Sequence, residues 1–325
     1  MGTIAQRECF MTIDWRGYWV ASPTPFTSSG QPDLNEMGAL LELYVSQGIH
    51  GVVVNGSTGE WCSQSAVERK EIAAKSVTQV NNRIPVVIGA SAYTPNEVID
   101  LANHASSVGA DGIMVTAPPY YNLTEDEIFN FFQLIDSNVR IPVMVYNWPR
   151  GIGVDMSEEL LVKLGKLPSV AAIKESSGDE SKTIRVLQTL MAESVDVRFF
   201  SRFIHPQGAE YLAKIGGDGN IDGGGLGAQY AVKFYNSWWE KDLSEMKTNS
   251  EAYADFSSSL INSDYSGKFG SPISQLKACM RILNQPGGYV RPPLMEVTDR
   301  KSIEQLTKIL ESSSIGLSKS LGIGK

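Results

Sequence analysis

The chain of 325 residues is poor in the groups from which most cofactor sites and extracellular frameworks are built. Its three cysteines, Cys9, Cys62 and Cys279, are odd in number and far apart, with no Cys-x-x-Cys pair. That argues against a disulfide framework and for a reducing, cytoplasmic setting. Three histidines, His50, His104 and His205, are scattered without metal-ligand spacing, so no metal site is expected. No Gly-x-Gly-x-x-Gly follows an early strand, and the glycines of Gly51–Gly59 have the wrong spacing for a dinucleotide fingerprint. No apolar run is long enough to cross a membrane, and the N-terminus lacks the basic-then-apolar pattern of a signal peptide. Met11 is an alternative start. The formal net charge is −8 with no dense Lys/Arg stripe, which makes nucleic acid an unexpected partner.

What is present is alternation. Short β-branched or small-residue runs bounded by Gly, Pro, Ser or Asn read as strands. They are Gly17–Ala21, Gly51–Asn55, Pro85–Gly89, Gly112–Thr116, Pro142–Asn147, Val170–Lys174, Val197–Ser201 and Gly219–Asp222. Between them, apolar residues at spacings of three and four predict helices. These are Leu34–Gln47, Ser65–Val80, Pro95–Val108, Glu125–Ser137, Ser157–Leu164, Glu180–Met191 and Pro206–Ile215. Thr94-Pro95 and Thr124-Glu125 supply cap-like starts. Strict β–α alternation implies a parallel sheet, and eight units fit barrel spacing. An open doubly wound sheet is the rival, weakened by the missing fingerprint. Beyond Leu226 the pattern turns helical, at Gln229–Trp239, Leu243–Ile261, Ile273–Leu283 and Ser302–Leu310. The expected fold is therefore an α/β (β/α)8 TIM barrel over residues 15–240 with a C-terminal helical appendage at 241–312. An N-terminal extension, 1–14, precedes it, and a tail rich in Ser, Gly and Lys, 313–325, is expected to fray.

One strand ends unusually. Val170–Lys174 is apolar until its last residue, a lysine. A cation at the end of a buried strand costs desolvation unless it has a partner or a task. Burial lowers a lysine pKa and exposes the neutral amine that imine chemistry needs. The bland alternative is a lysine that snorkels or pairs with Glu175. The preceding strand ends in Tyr146-Asn147-Trp148-Pro149, where Tyr146 is otherwise a core residue before a turn. Neighbouring strand ends of a barrel share a face, so Tyr146 and Lys174 are expected to meet. A phenol beside an amine can shuttle protons during carbinolamine and imine formation.

Two loops add to this. Gly56-Ser57-Thr58-Gly59-Glu60 offers backbone N–H groups and two hydroxyls, a cradle suited to a carboxylate, or else an ordinary Gly-rich turn. Glu60 reads as a local cap or as a hydrogen-bond partner at the barrel mouth. Pro118-Pro119 stiffen a loop that presents Tyr120 and Tyr121 to a subunit contact, to a site, or to both. Gly223-Gly224-Gly225 allows close backbone approach at the mouth or forms a turn. Cys62 has no activating base nearby.

Taken in order, Thr24-Pro25-Phe26, Gly56-Ser57-Thr58-Gly59-Glu60, Tyr120-Tyr121-Asn122, Tyr146-Asn147-x-Pro149 and Ile173-Lys174-Glu175 resemble the dihydrodipicolinate synthase / N-acetylneuraminate lyase family of class I, pyruvate-type aldolases. The resemblance runs from about Trp15 to Leu310. It implies a TIM barrel with C-terminal helices, assembled as a homotetramer that is a dimer of dimers. It implies a Schiff base between Lys174 and a pyruvate-type 2-oxo acid, with no further cofactor, and an aldehyde as the second small molecule. By the same resemblance Tyr146 shuttles protons, Ser57 and Thr58 hold the carboxylate and relay protons, and Tyr121 reaches into the neighbouring subunit's site.

Two departures stand out. The synthases of the family resemble one another in an arginine shortly after the Tyr-Asn-x-Pro turn; the corresponding position here is Gly151, with Arg150 one residue early. Sialic acid lyases place acids after the seventh strand, where this chain has Ser201-Arg202-Phe203-Ile204-His205-Pro206-Gln207. The part that chooses the second substrate is rewritten. Trp148, Arg150, His205 and Gln207, with Gly56 and Gly223, are the candidate substrate contacts; Trp148 alternatively only packs and His205 only starts a helix. Cleavage or formation of a C–C bond is the expected reaction. The alternatives are dehydration of a 2-keto-3-deoxy sugar acid by the same imine, 4-hydroxy-tetrahydrodipicolinate synthesis with Arg150 as the anchor, and a catalytically silent paralogue that binds a 2-oxo acid.

Overall fold

Eight strands pair in parallel, each with the next and the last with the first, and close a barrel. They are β1 (Gly17–Ala21), β2 (Gly51–Val54), β3 (Val86–Gly89), β4 (Gly112–Thr116), β5 (Val143–Asn147), β6 (Val170–Glu175), β7 (Arg198–Phe200) and β8 (Gly219–Gly223). A helix follows each: α1 (Leu34–Ser46), α2 (Ala66–Val80), α3 (Pro95–Ser107), α4 (Glu125–Asn138), α5 (Glu158–Gly165), α6 (Glu180–Ala192), α7 (Pro206–Lys214) and α8 (Ala228–Glu240). Three more, α9 (Leu243–Leu260), α10 (Pro272–Ile282) and α11 (Arg300–Ser312), form the C-terminal appendage. This computed structural model describes residues 14–316. The TIM barrel with C-terminal helices expected from the alternation is the fold found.

The helices start where the sequence supplies caps. Ser65, Thr94 and Thr124 each accept a bond from the backbone N–H three residues on, while Glu68, Glu97 and Glu127 reach back to the cap. These reciprocal boxes satisfy orphan donors of the first turn, each contributing about 1 kcal/mol. They set the entry of α2, α3 and α4 and so the lengths of the loops above the barrel.

Alternate strand residues point inward. Trp19, Val53, Val87, Met114, Met144, Ala172, Phe200 and Ile221 fill the interior together with Trp15. Trp15 and Trp19 meet edge to face at 5.7 Å, and Trp19 meets Phe200 at 5.5 Å. Glycine at the first position of β2 and of β4 makes room for them. A Cβ on Gly51 would lie 2.3 Å from the Trp19 ring, and one on Gly112 would lie 2.5 Å from Trp15. The aromatic plug seals the end where the strands begin, so only the C-terminal strand ends are open for chemistry.

The appendage is attached through charge as well as packing. Lys277 on α10 is fully buried and donates to Glu60 Oε1 (2.6 Å), Thr24 O (2.7 Å) and Tyr289 O (2.6 Å). Glu60 Oε2 accepts from the Arg291 N–H at 2.9 Å. Of the two roles open to Glu60, the structure selects the hydrogen-bond partner at the barrel mouth.

Differences from the sequence expectation are local. A 3-10 turn at Trp61–Ser63 and a helical turn at Pro149–Ile152 had no periodic signal because each is too short to show one. β7 is shorter than Val197–Ser201 at both ends. The expected frayed tail is packed in its described part: Ile315 is buried against the α9–α11 cluster, and Tyr230 donates to Ser313 O. Residues 1–13 and 317–325, with Cys9, Met11, most of the N-terminal extension and the rest of the tail, lie outside the described residues.

Candidate active site

The register of β5 and β6 sets Tyr146 opposite Lys174 and Asn147 opposite Glu175. Both members of the first pair are buried, and Lys174 Nζ lies 4.0 Å from the centroid of the Tyr146 ring. No other described residue hydrogen-bonds or ion-pairs with that amine. Glu175, its neighbour in sequence, is turned elsewhere: its carboxylate accepts from Asn147 Nδ2 (2.8 Å) and from the Ser177 N–H (2.7 Å). The pairing that would have made Lys174 a structural residue is absent. Burial therefore pushes its amine down to about 8, against a smaller upward pull from the Asp222 charge.

Tyr146 moves the other way. Burial pushes its phenol up, opposed by the Arg150 charge and by the Ser176 and Ser57 hydroxyls. The phenol is thus held as a proton donor beside an amine that loses its proton easily.

The second register pair fixes the first. Asn147 Nδ2 bonds Asp155 Oδ1 as well as Glu175, both at 2.8 Å, and Asn147 Oδ1 accepts from the Met156 N–H at 3.2 Å. Lys182 closes the network on Asp155 and the Met156 carbonyl. This network, buried at Asn147, Glu175 and Lys182 and open to solvent only at Asp155, locks the strand ends that carry Tyr146 and Lys174.

These side chains open into a cavity of about 510 Å³ at the barrel mouth, also lined by Thr58, Trp148, Arg150 and Gly223. Trp148 stacks on Tyr146, with ring centroids 6.0 Å apart and planes within 10°. A Cβ on Gly151 would lie 1.9 Å from the Trp148 ring, so the indole occupies the space of any side chain at that position. Arg150 points back across the loop, donating to Ser176 O and Ser177 O at 2.9 Å each. The Ser57 hydroxyl faces Tyr146, and Gly56 packs on Met114, where a Cβ would be 3.3 Å from the methyl carbon. Thr58 stands beside Gly223, where an added Cβ would meet its hydroxyl at 3.2 Å.

Of the sequence candidates, Gly56 and Ser57 adjoin this cavity without lining it, and three more stay apart from it. His205 caps α7: Nδ1 accepts from the Gly208 N–H (3.3 Å) and Nε2 donates to Arg202 O (2.9 Å), leaving neither ring nitrogen for substrate. Gln207 is exposed on the first turn of α7. Tyr121 is 61% exposed, edge-on to Tyr120, and does not line its own chain's cavity.

Arg202, Asp222, Tyr253 and Tyr265 are among the lining residues that the sequence pattern does not mark. Asp222, the last residue but one of β8, accepts from the Tyr253 hydroxyl. Arg202 lies in the loop after β7, where no local pattern sets it apart from a solvated surface cation. Tyr253 and Tyr265 come from the appendage, where nothing local marks them. Among the described residues, no group of three or more His, Cys, Asp or Glu is placed to hold a metal ion, and no helix is long and apolar enough to cross a membrane.

Comparison with known proteins agrees with this architecture. The sequence profile of the Dihydrodipicolinate synthetase family matches residues 14–313. An uncharacterized DapA-like lyase of Rhizobium meliloti is 31% identical over 289 residues, covering 87% of this chain and 91% of that one. A 4-hydroxy-tetrahydrodipicolinate synthase of Phenylobacterium zucineum is 36% identical over 165 residues, which is 51% of this chain and 56% of the synthase. Among solved structures, YagE, a prophage protein of the dihydrodipicolinic acid synthase family from E. coli K12, superposes with a TM-score of 0.82 at 25% identity, covering 93% of this chain and 99% of YagE. The dihydrodipicolinate synthase of Acinetobacter baumannii shares the fold at a TM-score of 0.83 and 24% identity, over 92% and 99% of the two chains. The chain thus belongs to the dihydrodipicolinate synthetase family and is a lyase of its class I, Schiff-base type.

Proposed function

We propose that Lys174 forms the Schiff base with a pyruvate-type 2-oxo acid, and that the enzyme makes or breaks the C–C bond between that acid and an aldehyde. The neutral amine adds to the ketone carbon, and the carbinolamine loses water with Tyr146 supplying the proton. The protonated imine is the electron sink. Loss of a C3 proton gives an enamine, whose C3 attacks the aldehyde carbon while the new alkoxide takes up a proton. Water then hydrolyses the imine and releases product and Lys174. Cleavage is the reverse. Gly56, Ser57 and Thr58 receive the carboxylate, and the two hydroxyls relay protons to Tyr146. The imine is the only covalent carrier this sequence needs, so no further cofactor is involved.

The observation that carries this reading is a buried lysine with a tyrosine ring against it and no hydrogen-bonded acid. The solved YagE structure is a complex with pyruvate, which supports that acid as donor. Exposed Tyr120 and Tyr121 suit a subunit contact, in keeping with a dimer of dimers in which Tyr121 reaches a neighbouring site. Free, exposed Cys62 suits the cytoplasm. A second reading, 4-hydroxy-tetrahydrodipicolinate synthase with Arg150 as the anchor, is favoured by similarity to several synthases of that name. The bonds that turn Arg150 back onto the Ser176 and Ser177 carbonyls speak against it, and turnover with aspartate semialdehyde would establish it.

Incubation with pyruvate and borohydride, followed by peptide mapping, tests the proposal. A reduced adduct on Lys174 is the expected outcome. Absence of an adduct with pyruvate and with larger 2-oxo acids overturns it.

A further inference from the structure

The cavity carries positive charge in excess of what the imine chemistry uses. Arg150 and Arg202 reach it from the loops after β5 and β7, and both guanidinium groups lie over the ring of Tyr265, at 3.8 and 4.4 Å from its centroid. Among the described residues neither forms an ion pair with a carboxylate. Arg150 is bonded to the Ser176 and Ser177 carbonyls, whereas no described hydrogen bond engages the Arg202 guanidinium. Two like charges gathered on one ring repel, and the one carboxylate that shares the cavity lining with them, Asp222, is engaged by the Tyr253 hydroxyl and pairs with neither.

The ring itself is held deliberately. Tyr265 sits at the tip of a tight turn closed by an Ile261–Gly267 bridge and by bonds from the Asn262 N–H to Ser266 O and from the Tyr265 N–H to Asn262 O, both 2.9 Å. It has a φ of 65°, the left-handed region that a bulky aromatic residue rarely occupies. The appendage thus accepts backbone strain to deliver one aromatic face to two arginines above the catalytic cavity. Stacking on an aromatic plane fixes the guanidinium while leaving its edge donors free, a geometry suited to bidentate anion binding.

We propose that Arg202, oriented by Tyr265 and assisted by the charge of Arg150, binds an anionic group, carboxylate or phosphate, on the second substrate. It stands in for a side chain that Trp148 excludes from position 151. The inference rests on the imine reading for the reaction but not for the anion site. Arg202 is the specificity-determining residue, and Tyr265 is a positioning residue.

Two measurements test it. Pyruvate condensation is followed with glyceraldehyde, glyceraldehyde 3-phosphate and succinic semialdehyde, in wild type, Arg202→Ala, Arg202→Lys and Tyr265→Ala. Arg202→Ala is expected to lower kcat/KM for the anionic acceptors by about 10- to 100-fold, mainly through KM, and to lower it far less for the neutral acceptor. Arg202→Lys restores part of the loss, and Tyr265→Ala gives a smaller loss of the same kind. Whether the phosphate or the carboxylate acceptor suffers more identifies the natural group. Equal loss on neutral and anionic acceptors, or no loss on any, overturns the proposal. Calorimetric titration of the free enzyme with malonate and with inorganic phosphate reads the anion site without chemistry. Wild type binds one of them at least about tenfold more tightly than Arg202→Ala, and equal binding overturns the proposal. Borohydride trapping of pyruvate is run on the same proteins. Its failure in wild type would count against the imine and not against the anion site, which the titration judges by itself.

Discussion

Two buried lysines in this barrel have opposite roles. Lys277 is enclosed by the Glu60 carboxylate and two carbonyls, every ammonium hydrogen having an acceptor within 2.7 Å. Lys174 is enclosed by a tyrosine ring and has no hydrogen-bonded acceptor among the described residues. Burial pulls both amines below the usual lysine range, but at Lys277 the charge and hydrogen bond of Glu60 pull back. The residue type and the desolvation are shared, so the partners decide. A lysine with a satisfied ammonium is a strut between the β2 loop and the appendage. A lysine without one spends more time neutral and is a nucleophile.

Removing the two amines should therefore have opposite consequences. Lys174→Met is expected to abolish condensation, by at least about four orders of magnitude, while the barrel stays folded. Its stability should rise. The Lys174 amine falls from 10.5 to about 8, which corresponds to about 3 kcal/mol against the charged form. That cost is fully present below pH 8, where folded and unfolded chains are both protonated, and fades as pH rises towards the unfolded value. Urea unfolding at pH 7 should show Lys174→Met more stable than wild type by up to about 3 kcal/mol. A variant less stable than wild type would mean that the amine has a partner.

Tyr146→Phe separates proton transfer from nucleophilicity. It keeps the ring against Lys174 and removes the hydroxyl, so kcat should fall by about 10²- to 10⁴-fold while borohydride still traps a slowly formed adduct. Unchanged kcat would remove Tyr146 from the mechanism. Lys277→Met should do the converse of Lys174→Met. It leaves Glu60 buried without its partner and should cost about 3–5 kcal/mol in urea unfolding, with Glu60→Gln in the same chain recovering part of the loss. A neutral outcome would show that Glu60 finds another donor.

The fold was legible because its signals are local and repeated. Most strands are short β-branched or small-residue runs, most helices carry their own cap, and eight repetitions leave few alternatives to a barrel. Lys174 was legible for the same reason: a cation ending an apolar strand is a local anomaly, and register alone brings it to Tyr146. The strut was half legible. Glu60 read as a cap or a partner, but its lysine lies 217 residues away, and no periodicity links the two. Arg202 was in view, yet its meaning depends on Tyr265, which a turn in the appendage carries over the mouth. His205 left two readings open, substrate contact or helix start, and its geometry fits the second: Nδ1 caps α7 and Nε2 bonds the Arg202 carbonyl. What the sequence hides is contact between distant segments, and substrate selection is built from such contacts.

The most direct test of the difference between the two lysines is the pH dependence of pyruvate trapping by borohydride, with the labelled lysine identified at each pH. The expected result is a single adduct on Lys174, none on Lys277, and a rate that rises to half its maximum near pH 8 as the buried amine loses its proton. A midpoint near the ordinary lysine value of 10.5, or an adduct on another lysine, would contradict it.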